Sequence, residues 1–175
     1  LNVSIACGDR VEIKGCQDLD WIPRIIRLEM ARQLHFYRLA NQLRKNASLP
    51  PLPPNRDLDS SPVENRVALS ASKRIPLEII DLSDPLSVCE SQKVSNAVEN
   101  GSSILAVRLP GFSGFLGSRT YDNQGAQLPR LGRELASAAK LAGVAGIFHS
   151  DELPAYGISE SDVTIARENL ELIEG

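Results

Sequence analysis

Five prolines fall within the short stretch 46–62, and this stretch most constrains what the chain can fold into. They are Pro50, Pro51, Pro53, Pro54 and Pro62, with Asn, Asp and Ser residues between them. Proline lacks a backbone N–H and has a fixed φ, so a segment this rich in proline forms neither a helix nor a central strand. We therefore expect a semi-rigid linker over 46–62, which separates segment 1–45 from segment 63–175.

Before the linker, the sequence predicts a hairpin followed by a long helix. Residues 2–6 and 10–14 alternate apolar and polar side chains around a Cys-Gly-Asp turn, which is typical of a short antiparallel hairpin. A helix is predicted from about Asp20 to Arg44, with Pro23 tolerated in its first turn. Its predicted apolar face consists of Ile22, Ile25, Ile26, Met30, Phe36, Tyr37 and Ala40.

Two polar side chains, Glu29 and Gln33, lie within that predicted apolar face. A buried carboxylate without a partner is strongly destabilising. Glu29 is therefore predicted to pair with a cation or with another domain, and a structural role is favoured over a catalytic one.

After the linker, short strands and helices alternate. The predicted strands are 77–82, 104–109 and 144–148, and the predicted helices are 90–99, 131–142 and 159–174. Ser159 and Asp162 have the spacing of a capping box at the start of the last helix. A long Gly-rich loop is predicted over 110–129. This alternation, with one apolar face per helix, predicts an α+β fold in two layers.

Composition and charge exclude several classes of protein. No apolar run approaches the roughly 20 residues that span a bilayer, so a cytoplasmic protein is expected. Three cysteines without C-x-x-C spacing indicate neither a disulfide framework nor a zinc site. A net charge of -3 means that contact with nucleic acid would require a local basic surface. Because the chain opens at Leu1, directly at a predicted strand, we expect it to be part of a longer protein.

Two blocks of sequence carry a family resemblance. The first block contains Leu1-Asn-Val-Ser-Ile5, Arg10-Val-Glu-Ile-Lys-Gly15, Gln17-x-Leu-Asp20 and Glu29-x-x-Arg-Gln33. The second contains Arg108-Leu-Pro-Gly-Phe-Ser-Gly114, Arg130-Leu-Gly-Arg-Glu-Leu-Ala136 and Gly146-Ile-Phe-His-Ser-Asp-Glu-Leu-Pro-Ala-Tyr-Gly-Ile158. Together they resemble the E-subunit family of archaeal glutamyl-tRNA(Gln) amidotransferases. The first block also looks like the paralogous bacterial B subunit, and the second is similar to an insertion in bacterial-type aspartyl-tRNA synthetase.

The resemblance implies a domain organisation. Residues 1–45 would be the C-terminal part of a catalytic cradle domain, formed by the hairpin and the long helix. Residues 63–175 would be a truncated two-layer α/β insertion of the aspartyl-tRNA-synthetase (GAD) type. Glu29 would then bond to the half of the cradle that this chain lacks.

The resemblance also implies an activity. Family members phosphorylate the γ-carboxylate of glutamate misacylated on tRNA(Gln), using ATP and Mg²⁺. Ammonia from the asparaginase-like D subunit, released from glutamine or asparagine, then displaces the phosphate. The family's other active-site acids and a histidine lie in earlier sequence, so this chain alone is expected to be inactive. The alternatives are a non-catalytic module that positions tRNA and, more weakly, a free-standing α/β domain with an unrelated small-molecule function.

Candidate catalytic residues lie on the predicted hairpin. Arg10, Glu12 and Lys14 alternate along one strand and therefore share a face. On its own, such a pair of charges is more often a solvated ion pair. The resemblance reverses that preference, assigns catalysis to Glu12 and Lys14, and makes Glu12 a candidate Mg²⁺ ligand.

Candidate tRNA-binding residues are four arginines in and around the Gly-rich loop, Arg108, Arg119, Arg130 and Arg133. Phe112, Phe115 and Tyr121 are interleaved with them, as in surfaces that contact RNA. The alternative is a packed loop that covers the core. The loop lacks the Gly-Lys-Ser/Thr ending of a phosphate-binding P-loop. For Arg24, Arg27 and Arg38, a solvated helix face is favoured over a second RNA-binding or subunit-binding surface.

The run His149-Ser150-Asp151-Glu152 superficially suggests a hydrolase or metal site. Neighbours at the end of a strand point in different directions, and catalytic triads are assembled in space rather than by adjacency. Neither metal binding nor nucleophilic catalysis is therefore predicted here.

Overall fold

The computed structural model describes residues 1–55 and 78–171, and in these ranges helices are combined with small antiparallel sheets. The mixture confirms the α+β prediction at this level. The strands are β1 (Asn2–Val3), β2 (Val11–Glu12), β3 (Glu78–Asp81) and β4 (Leu105–Arg108). The helices are α1 (Ile22–Asn46), α2 (Gln92–Glu99), α3 (Leu131–Leu141) and α4 (Glu160–Asn169). Single 3-10 turns form at Leu19–Trp21 and Ser150–Glu152.

The chain divides into two compact units. Among the described residues, the first unit contains 1–55 and 111–147, and the second contains 78–110 and 148–171. Segment 111–147 thus groups with the N-terminal residues rather than with 78–110 and 148–171. The assignment of 1–45 to a cradle and of 63–175 to an insertion domain stays a prediction.

In the first unit, the predicted hairpin is present but short. β1 and β2 pair antiparallel, with Asn2 opposite Glu12 and Val3 opposite Val11. The Ile13 N–H donates to the Leu1 carbonyl oxygen at 2.7 Å, which extends the pairing by one position. The sequence pattern therefore identified the hairpin and overestimated the length of its strands.

Helix α1 begins after a 3-10 turn in which the Asp18 carboxylate accepts from the backbone N–H of Asp20 at 2.9 Å. Its predicted apolar face needs a correction. Met30 is 44% exposed, whereas the buried side chains of the helix are Glu29, Gln33 and Arg44. Glu29 and Gln33 lie within the predicted face, so the periodicity identified the buried side of the helix, but polar groups rather than Met30 are buried there.

The described start of the predicted linker is attached to α1. Arg44 donates from Nε to the Pro50 carbonyl oxygen at 2.6 Å, and the Tyr37 hydroxyl donates to the Leu52 carbonyl oxygen at 3.1 Å. Asn41 accepts from the Leu52 N–H at 2.7 Å. Prolines leave few backbone donors, so side chains of the helix bond the carbonyls instead. Positions 56–62 of the predicted linker lie outside the described residues.

In the second unit, β3 and β4 pair antiparallel from Glu78 opposite Arg108 to Asp81 opposite Leu105. The core is formed by Leu82, Leu86 and Cys89, against which α4 packs through Ile165 and Ala166. The strand predicted at 77–82 is confirmed at Glu78–Asp81, where Ile80 is half-buried and the other three residues are exposed. The other face of the sheet exposes Ile79, Leu105 and Val107.

The capping box predicted for the last helix is present. Ser159 accepts from the Asp162 N–H, and the Asp162 carboxylate accepts from the Ser159 N–H at 2.9 Å. Helix α4 ends at Asn169 rather than near 174, and residues 172–175 lie outside the described range.

The prediction of a strand at 144–148 is wrong. Helix α3 ends at Leu141, Gly143 adopts a positive φ of 88°, and the following residues form no strand. Val144, Ile147 and Phe148 are exposed. A strand requires a partner for its backbone ladder, and none of the strands in residues 1–55 and 78–171 pairs with this segment.

None of the helices that the structure describes has the length and apolar character to cross a membrane.

Candidate functional site

The candidate catalytic pair lies on the hairpin of the first unit. Glu12 ends β2, and its Oε2 is 3.6 Å from the Nζ of Lys14. Both side chains are open to solvent, with 60% of Glu12 and 80% of Lys14 exposed. The hairpin therefore presents a carboxylate and an ammonium group next to each other at an accessible surface. Within residues 1–55 and 78–171, no cluster of three His, Cys, Asp or Glu side chains could hold a metal ion.

Gln33 of α1 joins the hairpin to the helix. Its Nε2 donates to the Val3 carbonyl oxygen at 3.2 Å, and its Oε1 accepts from the Ile5 N–H at 3.4 Å. Both ends of the buried amide are therefore bonded to the first strand and the residues that follow it.

Glu29, one turn earlier, pairs with a cation, which is one of the two partners expected for it, and this cation belongs to the same helix. A bond from Glu29 to the half of the cradle that this chain lacks stays a prediction. Arg32 donates from Nε to Oε2 at 2.8 Å and from Nη2 to Oε1 at 3.0 Å, which is a bidentate contact. Gln33 Nε2 donates to Oε1 at 2.9 Å. Burial opposes ionisation of Glu29, but the hydrogen bonds from Arg32 and Gln33 and the charge of Arg32 outweigh it and lower the pKa of Glu29.

Arg32 also reaches α3, where its Nη1 lies 3.3 Å from an oxygen of Glu134. The hydrogen bond to Glu29 raises the pKa of Arg32, against the opposing effect of burial. This run of ionic and amide contacts is a polar connection between α3, α1 and the hairpin. Glu134 and Gln33, at the two ends of this connection, both lie in the blocks that carry the family resemblance. No sequence signal indicated that Arg32 would contact Glu134.

A second ion pair of the first unit joins Arg27 to Asp122, whose side chain is almost fully buried. Burial opposes ionisation of Asp122, but N–H donors of Ala126 and Gln124 and the Arg27 guanidinium lower its pKa. Arg27 thus departs from the solvated face expected for it. The missed signal was the Asp-Asn-Gln-Gly sequence at 122–125, a typical Asx-turn composition.

Arg24 and Arg27 line an open cavity of about 640 Å³ together with the loop at 124–126. The guanidinium of Arg24 lies 5.2 Å from the ring centroid of Trp21, which is half exposed. This is a cation–π contact that holds Arg24 against the 3-10 turn.

The four candidate tRNA-binding arginines are divided between the two units. Arg130 and Arg133 stand at the start of α3 and line one open cavity of about 410 Å³, with Glu134 among its other lining residues. Arg119 is exposed on the Gly-rich loop of the same unit. Arg108 belongs to the second unit.

Arg108 makes intramolecular contacts. Its Nη1 is 3.2 Å from a carboxylate oxygen of Glu78, and its Nη2 donates to the Leu170 carbonyl oxygen. Its buried Nε has no acceptor among the described residues. Two guanidinium nitrogens of Arg108 are therefore bonded, one to a residue of the paired strand and the other to the end of α4.

The His149 run forms a local cluster on the second 3-10 turn. His149 Nε2 lies 3.6 Å from Glu152 Oε2, and the Tyr156 hydroxyl donates to the same oxygen at 2.7 Å. All three residues lie within eight consecutive positions, so the contacts stabilise one turn.

No protein-family model matches the chain. The glutamyl-tRNA(Gln) amidotransferase E subunit of Pyrococcus furiosus is 37% identical over 174 residues, which cover 99% of this chain. The E subunits of the same enzyme from Methanopyrus kandleri and Thermococcus gammatolerans are 35% and 38% identical, over 100% and 99% of the chain.

The chain belongs to the E-subunit family of glutamyl-tRNA(Gln) amidotransferases. The resemblance inferred from the two sequence blocks is thereby confirmed over the whole chain. The chain spans about 23% of the length of these relatives.

Proposed function

We propose that this chain supplies part of a glutamyl-tRNA(Gln) amidotransferase. The parent protein would phosphorylate the γ-carboxylate of glutamate on tRNA(Gln) with ATP and Mg²⁺, and ammonia from the D subunit would displace the phosphate. The observation that carries the proposal is the continuous match to the E subunits of three archaea, at 35–38% identity along the chain. The names of those relatives specify the amidotransferase and tRNA(Gln).

In this proposal, Glu12 contributes a carboxylate to Mg²⁺ and Lys14 contributes positive charge to the phosphates. Transfer of a γ-phosphoryl group depends on positioning and on neutralising charge that spreads over the phosphate oxygens. The two side chains are adjacent, oppositely charged and accessible, as this chemistry requires. Because the described residues contain no three-ligand cluster, the other Mg²⁺ ligands would come from ATP and from other parts of the parent protein.

Recognition of tRNA is proposed for Arg130, Arg133 and Arg119, with a smaller contribution from Arg108. The first two line the same open cavity, and Arg133 and Arg119 are exposed. Arg108 contributes less because Glu78 and Leu170 already occupy two of its nitrogens. The rival proposal is a module that only positions tRNA; it uses the same arginines and gives Glu12 no role.

The decisive experiment compares the two proposals in the full-length parent protein with its D-subunit partner. Formation of glutaminyl-tRNA(Gln) is measured for the wild type, Glu12→Gln and Lys14→Met. A control, Glu99→Gln, alters an exposed carboxylate at the end of α2. We expect kcat to fall on the order of 100-fold for Glu12→Gln, because a metal ligand contributes several kcal/mol. Full activity of Glu12→Gln and Lys14→Met would refute the catalytic assignment and favour the positioning module.

The tRNA surface has a separate test that uses fluorescence anisotropy across a salt series. Arg130→Ala and Arg133→Ala are compared with Lys140→Ala, which removes an exposed cation from the same helix. Each lost phosphate contact should lower the slope of log K against log salt by about 1, and Lys140→Ala should leave it unchanged. Equal slopes for all the proteins would remove Arg130 and Arg133 from the interface.

A further inference from the structure

The hairpin that carries Glu12 is too small to be stable by itself. Its two strands are two residues long, and an isolated two-stranded hairpin is at best marginally stable in water. The position of Glu12 must therefore be fixed by something other than the strand pair. Asn2, directly opposite Glu12, precedes Val3, whose carbonyl oxygen accepts a hydrogen bond from α1.

We propose that Gln33 is a positioning residue for Glu12: its buried amide holds the first strand of the hairpin on α1 and thereby sets where the Glu12 carboxylate stands. The proposal rests on the catalytic role proposed for Glu12 and goes beyond it. Gln33 is only 7% exposed. Its amide bonds both a carbonyl and an N–H of the backbone at positions 3 and 5, as a neighbouring strand would.

Glu29 determines which way that amide faces. A carboxylate accepts hydrogen bonds only, so the amide nitrogen of Gln33 must point toward Glu29 and the amide oxygen away from it. The oxygen is then in place for the Ile5 N–H. Because Arg32 donates hydrogen bonds to both oxygens of Glu29, the carboxylate cannot rotate freely.

The turn of the hairpin also packs directly on this amide. A Cβ placed on Gly8 would lie 2.0 Å from Gln33 Oε1 and 2.9 Å from the Ile5 side chain. Only glycine permits so close an approach at this position. The amide therefore meets the hairpin at Val3, Ile5 and Gly8, so that both the strand and the turn are located by one side chain.

Removing the polar ends of Gln33 while keeping its size is the sharpest test. In the full-length protein with its D-subunit partner, Gln33→Met is compared with Gln42→Met. Gln42 is exposed on the same helix and bonds only Asn46 among the contacts described for it. Two quantities are measured, the Mg²⁺ concentration that gives half-maximal glutaminyl-tRNA(Gln) formation and the deuterium uptake of the peptide spanning residues 1–15.

For Gln33→Met we expect the half-maximal Mg²⁺ concentration to rise about tenfold, because groups that orient a metal ligand typically contribute that much to metal affinity. Uptake in 1–15 should accelerate at least about tenfold while uptake within α1 stays unchanged, since only the hairpin is released. Gln42→Met should alter neither quantity. A purely structural defect would lower the amount of active enzyme and leave its Mg²⁺ dependence unaltered.

Two results would overturn the proposal, and each has its own cause. Unchanged uptake and unchanged Mg²⁺ dependence in Gln33→Met would mean that the amide does not position the hairpin. Full activity of Glu12→Gln, together with faster uptake in Gln33→Met, would mean that Gln33 anchors a hairpin without a catalytic carboxylate. The first result leaves the proposed function of Glu12 standing, whereas the second removes it.

Discussion

The carboxylate of Asp162 accepts hydrogen bonds from the backbone N–H of Glu90, at 3.2 and 3.3 Å, although the two residues are 72 positions apart. The same carboxylate accepts from the Ser159 N–H at 2.9 Å and is 2% exposed. A capping box that a local pattern predicts therefore also ties α4 to the start of α2. Two backbone donors of the second unit depend on one side chain.

Replacing Asp162 with alanine should therefore destabilise the second unit by roughly 2–4 kcal/mol. It removes the acceptor of two partly buried N–H groups, those of Ser159 in the capping box and of Glu90, and each loss contributes about 1–2 kcal/mol. Urea unfolding followed by circular dichroism measures the change. Glu160→Ala, at an exposed position in the same helical turn, is the control and should change the free energy of unfolding by less than about 0.5 kcal/mol. Equal effects of the two substitutions would contradict the double role of Asp162.

Glu29 should make folding stability depend on pH in the acidic range. Its pKa is lowered in the folded state, so the unfolded chain binds the proton more readily and stability rises with pH. The contribution is complete above the unfolded pKa of about 4.3 and is lost as pH falls through the lower folded pKa. Thermal melts of the wild type and Glu29→Gln between pH 6 and 3, with the fluorescence of Trp21 as the probe, measure it. The stability difference between the two proteins should shrink as pH falls; a constant difference would show that Glu29 does not titrate differently on folding.

Asp122 should matter more to the stability of its loop than its ion-pair partner Arg27. Asp122 accepts from the N–H groups of Gln124, at 2.9 Å, and Ala126, at 2.7 Å, besides pairing with the guanidinium. Asp122→Ala removes all of these bonds, whereas Arg27→Met removes only the ion pair. Hydrogen exchange at residues 122–128 should accelerate more in the first variant than in the second. The reverse order would mean that the ion pair, rather than the Asx turn, holds the loop.

The ion pair between Glu12 and Lys14 should contribute little to stability. Both side chains are largely exposed and lie 3.6 Å apart, and such surface pairs contribute about 0–1 kcal/mol. Glu12→Gln and Lys14→Met should therefore unfold at urea concentrations close to that of the wild type. This outcome would allow any loss of activity in these variants to be assigned to chemistry. A large drop in the midpoint would instead show that the pair has a structural role.

Short-range patterns predicted most of the secondary structure. Alternation identified the hairpin, the Ser159 and Asp162 spacing identified the start of α4, and Gly143 coincides with the stop after α3. These features depend on hydrogen bonds and backbone angles within a few residues, which is why a single sequence contains them. The motif blocks were likewise sufficient to recognise the amidotransferase family, because a motif is a property of residue order.

Burial and pairing over long distances were decided by the tertiary structure. Periodicity placed Glu29, Met30 and Gln33 on one face. Met30 is exposed, whereas Glu29 and Gln33 are buried because Arg32 and the hairpin backbone satisfy them. The apolar residues at 144–148 look like a strand, but a strand forms only where another backbone is available to pair. The sequence by itself thus determined the local elements and the family. Which groups satisfy the buried amide of Gln33, and which residues meet across the hairpin and α1, followed from contacts that exist only once distant segments come together.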